Sequence, residues 1–262
     1  MGLASAYHRF FPEKRFAHLL REEGRRIVEM STSGQAPFPT ELQSKNTSDG
    51  ADRGGQIALQ TLTTVRNGSI EKVSFDAART EWLAPVKRAL DRVLEKQDAA
   101  SIYEVGCGHG INLVALRRAF GDKLEIAGSD FSARRIEEGR RHFGNELEVA
   151  SLVQQSFNAP EFGSGNVGYD VVMSMGAISF ADSPSTVISR MCKMAMSYVV
   201  LIEPLWEFAM PHQRAYLIRA GHSTKIMQGA REAAFPILEA GACAISFSVK
   251  HAAGFVVLDV RR

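Results

Sequence analysis

The stretch Ile102-Tyr103-Glu104-Val105-Gly106-Cys107-Gly108-His109-Gly110 decides how the rest of the chain is read. Residues 102–105 predict a strand that runs straight into three glycines at alternate positions. Residues 111–120 behind them predict a helix. Strand, glycine turn and helix N-terminus make a cradle for a nucleotide-like ligand. Glycine permits the sharp turn and the close approach, and the helix end offers free N–H groups. A dinucleotide cradle needs G-x-G-x-x-G spacing. Here the third glycine comes one place early, at Gly110, and Ile111 holds the dinucleotide position. Glu104 would face a pyrophosphate unfavourably, yet it suits a ligand with an ammonium group.

Outward from this loop the pattern alternates. Further strands are predicted over residues 124–129, 147–153, 169–175 and 198–202, with helices near 111–120, 133–143 and 184–195. Ser183-Pro184 supplies an N-cap and a first-turn proline for the last helix. Strands alternating with helices predict an α/β fold with a parallel sheet covered on both faces, its ligand at the carboxyl ends of the strands. Residues 244–250 and 255–261 are expected to form an antiparallel hairpin joined by a short connection.

Residues 101–203 resemble the class I S-adenosylmethionine-dependent methyltransferases, whose first motif is an acidic residue followed by G-x-G-x-G. The resemblance implies a Rossmann-like, doubly wound, mostly parallel seven-stranded sheet with an antiparallel C-terminal strand. It implies S-adenosylmethionine as methyl donor and S-adenosylhomocysteine as product. Glu104, Gly106, Cys107, Gly108, His109 and Gly110 would form the donor loop. Asp130, at the end of the second strand and followed by Phe131, would hold the ribose, since a carboxylate can accept from both vicinal hydroxyls. The third strand departs from the family: Ser156, or else Asn158, stands where an Asp usually meets adenine, with Phe157 beside the ring. Ser174 ends the fourth strand and is expected at the cofactor. His109 is left open between a neutral hydrogen-bonding role and none, and Cys107 reads as packing.

In-line methyl transfer needs alignment above all, and a hydroxyl or amine acceptor can also need a base. Glu203 at the end of the fifth strand, His212 in Met210-Pro211-His212 and His222 in Gly221-His222-Ser223 are the candidates. The remaining histidines, His251 among them, have no supporting context. The fourth strand exits as Ser174-Met175-Gly176-Ala177, without the prolines common in enzymes that methylate nucleic-acid and protein nitrogens. That favours a small-molecule acceptor, its oxygen or nitrogen taking the methyl group. A non-catalytic adenosylmethionine-binding regulator, a protein or nucleic-acid methyltransferase and a nicotinamide-dependent oxidoreductase are the competing readings.

The 262 residues are expected to divide into a helical extension or lid over 1–98 and a methyltransferase domain over 99–262. The extension holds a mobile loop at 31–56, and Tyr7, Phe10, Phe11, Phe38 and Trp82 either line a pocket or belong to the core. A net charge of +2 gives no argument for nucleic acid or a membrane surface as partner. Three scattered cysteines predict neither disulfides nor a metal site. With no apolar run of spanning length the expected location is the cytoplasm. The oligomeric state is left open, a homodimer included.

Overall fold

The computed structural model describes residues 61–165 and 168–261. The expectations for Tyr7, Phe10, Phe11, Phe38 and the loop at 31–56 lie outside these residues.

The described chain opens with a hairpin, β1 (Thr61–Arg66) against β2 (Ser69–Ser74). Its turn is Asn67-Gly68, both at positive φ (48° and 84°), the tight turn that matches strand twist. Within the expected helical extension, residues 61–74 are thus a β-hairpin. Ser74 then caps α1 (Phe75–Trp82), its hydroxyl accepting from the Ala77 N–H at 3.1 Å. Pro85 sits in the first turn of α2 (Ala84–Leu94), where its missing N–H costs nothing.

The Rossmann-like unit follows as β3 (Ala100–Val105), α3 (Ile111–Phe120), β4 (Leu124–Asp130), α4 (Ala133–Phe143), α5 (Asn145–Glu148) and β5 (Ser151–Gln154). It continues with β6 (Tyr169–Met175), α6 (Pro184–Met194), β7 (Ala195–Glu203), α7 (Pro211–Arg219), α8 (Ile226–Glu232), β8 (Ile237–Ala242) and β9 (Gly254–Asp259). The seven-stranded sheet has the order β5-β4-β3-β6-β7-β9-β8. Neighbours from β5 through β7 pair in parallel, and β9 runs antiparallel to both β7 and β8. The order reverses between β3 and β6, so the ligand crevice of such a sheet lies at the carboxyl end of β3.

Strand alternation sorts the core into two faces. Ile102, Ile126, Met173, Val200 and Ile202 meet α1, α2, α3 and α4. Tyr103, Val105, Val172, Val199 and Leu201 meet α6 and α8. Period two places Glu104 on the Ile102 face, under α1 and α3. Because α2 packs in this same core, the expected division at residue 98 passes between two elements that share it.

The C-terminal hairpin exists, but its first strand is Ile237–Ala242 and not residues 244–250. Ile237-Leu238-Glu239-Ala240-Gly241-Ala242 has poor strand propensity and stands at the sheet edge, whereas 244–250 alternates well. The alternating segment is used otherwise. It crosses to the hairpin by a bridge of Ile245 with Arg66, and the Ile245 carbonyl accepts from Trp82 Nε1–H at 2.7 Å. Phe247 packs edge-on to Trp82, their centroids 5.0 Å apart. The strand expected at 147–153 shortens for a similar reason: Leu147 is buried in α5, beneath the glycine loop. Among the described residues no helix is long and apolar enough to cross a membrane.

Candidate functional site

Gly106, Gly108 and Gly110 all lie in the left-handed region, at φ of 74°, 55° and 74°. The N–H groups of Gly106 and Cys107 both donate to the Ser129 carbonyl, at 2.8 and 2.9 Å, which ties the loop to β4. A Cβ on Gly106 would fall well inside contact distance of Ala177 Cβ, and one on Gly110 would press on Leu147. A Cβ on Gly108 would meet nothing within 4 Å, so this is where a ligand can approach the backbone. Gly106→Ala is expected to cost about 1–3 kcal/mol through backbone strain. Ala177 must also move, so affinity for S-adenosylhomocysteine should fall with it; urea unfolding and calorimetric titration measure the two effects.

The other loop side chains point to packing. The Cys107 thiol is buried against Gly128, and burial, with Glu104 and Asp130 nearby, pushes its pKa well up. That keeps it protonated and inert. His109 Nε2 lies 3.2 Å from Glu138 Oε2, so its imidazole is engaged with α4.

Two carboxylates frame the crevice. Asp130 Oδ2 accepts the Gly108 N–H and Oδ1 accepts the Ser132 N–H, each at 2.9 Å. Each oxygen keeps a further lone pair, which suits vicinal hydroxyls. Phe131 beside it is 45% exposed, with Arg135 Cζ 5.8 Å from its centroid, and its exposed ring surface suits a flat heterocycle. Ser156 Oγ accepts from the Asn158 N–H at 3.2 Å, while Asn158 Oδ1 is held by the Asp182 N–H. Ser156 keeps its hydroxyl proton and Asn158 its Nδ2 amide group as uncommitted donors. Phe157 packs against the second core.

Glu104 is the more unusual carboxylate. It is fully buried, Oε1 accepts from Asn112 Nδ2 at 2.8 Å, and Oε2 has no partner. Burial, with the neighbouring Asp130 charge, pushes its carboxyl up to about 8, against the pull of Asn112 and Arg79. A buried acceptor without a donor is costly unless a ligand supplies one. An ammonium does so with the right charge. The cradle therefore fits a ligand with vicinal hydroxyls, a heterocycle and an ammonium, and no phosphate.

Past β6 the structure corrects two expectations. Ser174 is fully buried and donates to Glu203 Oε1 at 2.7 Å instead of lining the crevice. Glu203 is no exposed base. Its Oε1 also accepts the N–H groups of Ala177 and Ile178, and Oε2 accepts that of Ser179, at 3.1, 3.2 and 3.3 Å. Burial raises this carboxyl to about 7. Glu203 is thus a positioning residue that shapes residues 177–179, the segment against which Gly106 is fitted. His212 Nε2 lies 2.9 Å from the Val249 carbonyl and ties α7 to the β8–β9 connection.

His222 is different. Its Nδ1 lies 3.1 Å from Ser179 Oγ and its Nε2 3.2 Å from His251 Nε2, while His251 Nδ1 lies 3.2 Å from Ser248 Oγ. Burial lowers His222 to about 3, with His251 adding to it, and lowers His251 to about 4, so both rings are neutral. Phe180 and Tyr216 pack on the two rings. His251, Ser179, Asn112 and Arg79 escaped the sequence reading. Asn112 alone left a signal there, a polar residue in the first helical turn behind the loop. A surface hollow of about 480 Å³ lined by Ser101, Glu125 and Asp170 lies at the opposite end of these strands and takes no part.

Residues 102–196 match a family model described as a methyltransferase domain. No curated protein matches the chain by sequence. Solved structures with the same fold include magnesium protoporphyrin IX methyltransferase from Synechocystis PCC 6803 with bound S-adenosylhomocysteine. It is 16% identical with a TM-score of 0.55, over 85% of this chain and 99% of that one. A putative sarcosine dimethylglycine methyltransferase from Galdieria sulphuraria is 13% identical with a TM-score of 0.55, over 71% and 86%. The complex between the Haloferax volcanii Trm112 methyltransferase activator and the putative methyltransferase matches at 14% identity and a TM-score of 0.54, over 71% and 93%. The fold likeness and the family match meet on the same strand, loop and helix that the crevice is built from: residues 102–196 carry a methyltransferase domain on a Rossmann-like fold.

Proposed function

We propose that this enzyme methylates an oxygen or nitrogen of a small molecule held above the carboxyl ends of β6 and β7. The carrying observation is the chain Ser179–His222–His251–Ser248, which starts two residues from Ala177, where the glycine loop meets the post-β6 segment. Bound in the cradle, S-adenosylmethionine supplies an electrophilic methyl group. Glu104 and Asp130 hold its two ends, and Phe131 with Ser156 borders the ring. Glu203 fixes the segment that divides donor from acceptor.

Each neutral imidazole has one N–H and one lone pair. With its Nε2–H given to His222 Nε2, His251 keeps the Nδ1 lone pair beside Ser248 Oγ as the place where a proton is taken, and His222 holds it in that tautomer. An acceptor that must lose a proton as it attacks, an alcohol, phenol or amine, is the class such a chain serves. The near-neutral net charge supports a small acceptor over nucleic acid.

His222→Gln and His251→Asn are each expected to lower kcat by about 10²–10⁴-fold, the usual contribution of a positioned base, without changing S-adenosylhomocysteine affinity. Incubation with methyl-labelled donor and a fractionated whole-cell extract, followed by mass spectrometry, tests the acceptor class. Label in a small molecule is expected. Label appearing only in protein or RNA would overturn the proposal.

A further inference from the structure

We propose that Arg79 of α1 binds the carboxylate of the donor's amino-acid arm, making with Glu104 a clamp for a zwitterion. The inference rests on the cradle being the S-adenosylmethionine site, and it extends that site to a helix outside the matched residues 102–196.

Arg79 and Glu104 lie on the same face of the sheet, and each feels the other's charge. Arg79 is only 9% exposed, and its Nε is buried without a partner. Its one ion pair, Nη1 to Asp76 Oδ1 at 3.1 Å, goes to a carboxylate that is 91% exposed. A pair of that kind contributes little, so it does not account for burying a guanidinium. Phe75 lies against the guanidinium, 4.7 Å from centroid to Cζ, and sets its plane. A planar fork with free N–H groups is the side chain best matched to a carboxylate.

The amino-acid arm of the donor carries an ammonium and a carboxylate on one carbon. The site offers two unsatisfied buried atoms of opposite character, Glu104 Oε2 for the first and Arg79 Nε for the second. Among the described residues, other cations near the loop are engaged elsewhere, and Arg135 lies over the Phe131 ring. Arg117 is bonded to the Leu124 carbonyl and Asp122, Arg118 to Glu146, and Arg140 to the Leu152 carbonyl. α1 is itself anchored over the sheet by Trp82, through the Ile245 carbonyl, so the clamp does not depend on a free arm.

The test compares two ligands by calorimetric titration on the full chain. S-adenosylhomocysteine carries the amino-acid arm, and 5′-methylthioadenosine keeps the nucleoside and lacks the arm. Arg79→Met is expected to weaken S-adenosylhomocysteine about 10- to 100-fold and to leave 5′-methylthioadenosine unchanged. Arg79→Lys, which keeps charge and loses the fork, should fall between. Equal weakening of both ligands would show that Arg79 only supports the fold and would overturn the proposal, as would no change in either. If Arg79→Met fails to fold, the same ratio is read on Arg79→Lys. Failure of the wild-type chain to bind either ligand would instead sink the donor-site reading beneath it.

Discussion

Glu203→Ala is expected to lower the unfolding free energy by about 3–5 kcal/mol, the largest stability loss for any single change in the site. The carboxylate is fully buried and accepts from Ser174 Oγ and from the N–H groups of Ala177, Ile178 and Ser179. Alanine leaves all four donors in the interior with no acceptor. Each orphan costs about 1–3 kcal/mol in isolation, and relaxation of the segment recovers part of the sum. Glu203→Gln separates the contributions. A side-chain carbonyl in the Oε1 position keeps three of the donors satisfied, while the amide nitrogen meets the Ser179 N–H donor to donor. The Gln variant should therefore be intermediate in stability, and its Ser179–His222 contact should loosen. Urea unfolding gives the first quantity. A larger loss in kcat than in donor affinity would report the second.

The pH dependence of that stability has a definite sign. Burial raises the folded pKa of Glu203 to about 7 from an ordinary 4.5. A carboxyl with a raised folded pKa stabilises fully below its unfolded value and loses that contribution as pH climbs through the folded one. Wild-type stability relative to Glu203→Gln should fall between pH 4.5 and about 7. A difference that rises with pH over that interval would contradict the assignment.

Glu104→Gln is expected to weaken S-adenosylhomocysteine binding by about 10- to 100-fold and to remove a proton signature from it. Glu104 titrates near 8 in the ligand-free chain because it is buried beside Asp130, so near pH 6.5–7 it is largely protonated. A free α-amino group, ordinarily at about 7.7–8.0, is already an ammonium there. Closing the two into an ion pair makes Glu104 ionise, and close to one proton leaves to the buffer. Titrations in two buffers of different ionisation enthalpy count that proton. The wild-type chain should release it and Glu104→Gln should not. Equal release from both proteins would remove Glu104 from the ammonium site.

Much of the cofactor side was legible before any coordinates. The three glycines, Glu104 and Asp130 lie within 27 consecutive residues, and their reading relies on turn chemistry and strand period, both local. The reading failed where two segments competed for one structural place. Residues 244–250 alternate better than 237–242, yet the second is the strand, because the first is captured by Arg66, Trp82 and Gln213 from distant parts of the chain. Their positions at strand ends predict Ser174 at the cofactor and Glu203 as a base. Parallel pairing of β6 with β7 turns them toward each other instead.

The glycine loop thus had its ligand class written in sequence. Spacing on one strand, one turn and one helix N-terminus suffices to exclude a pyrophosphate and admit an ammonium. Tertiary structure decided everything that needs two distant segments to meet. Sheet order brings Ser179, His222 and His251 into one hydrogen-bonded chain, and helix docking puts the helix that carries Arg79 on the Glu104 face of the sheet. It also decided the protonation states. A carboxyl near 8 and imidazoles near 3 and 4 come from burial, which belongs to the packed interior and to no single stretch of sequence.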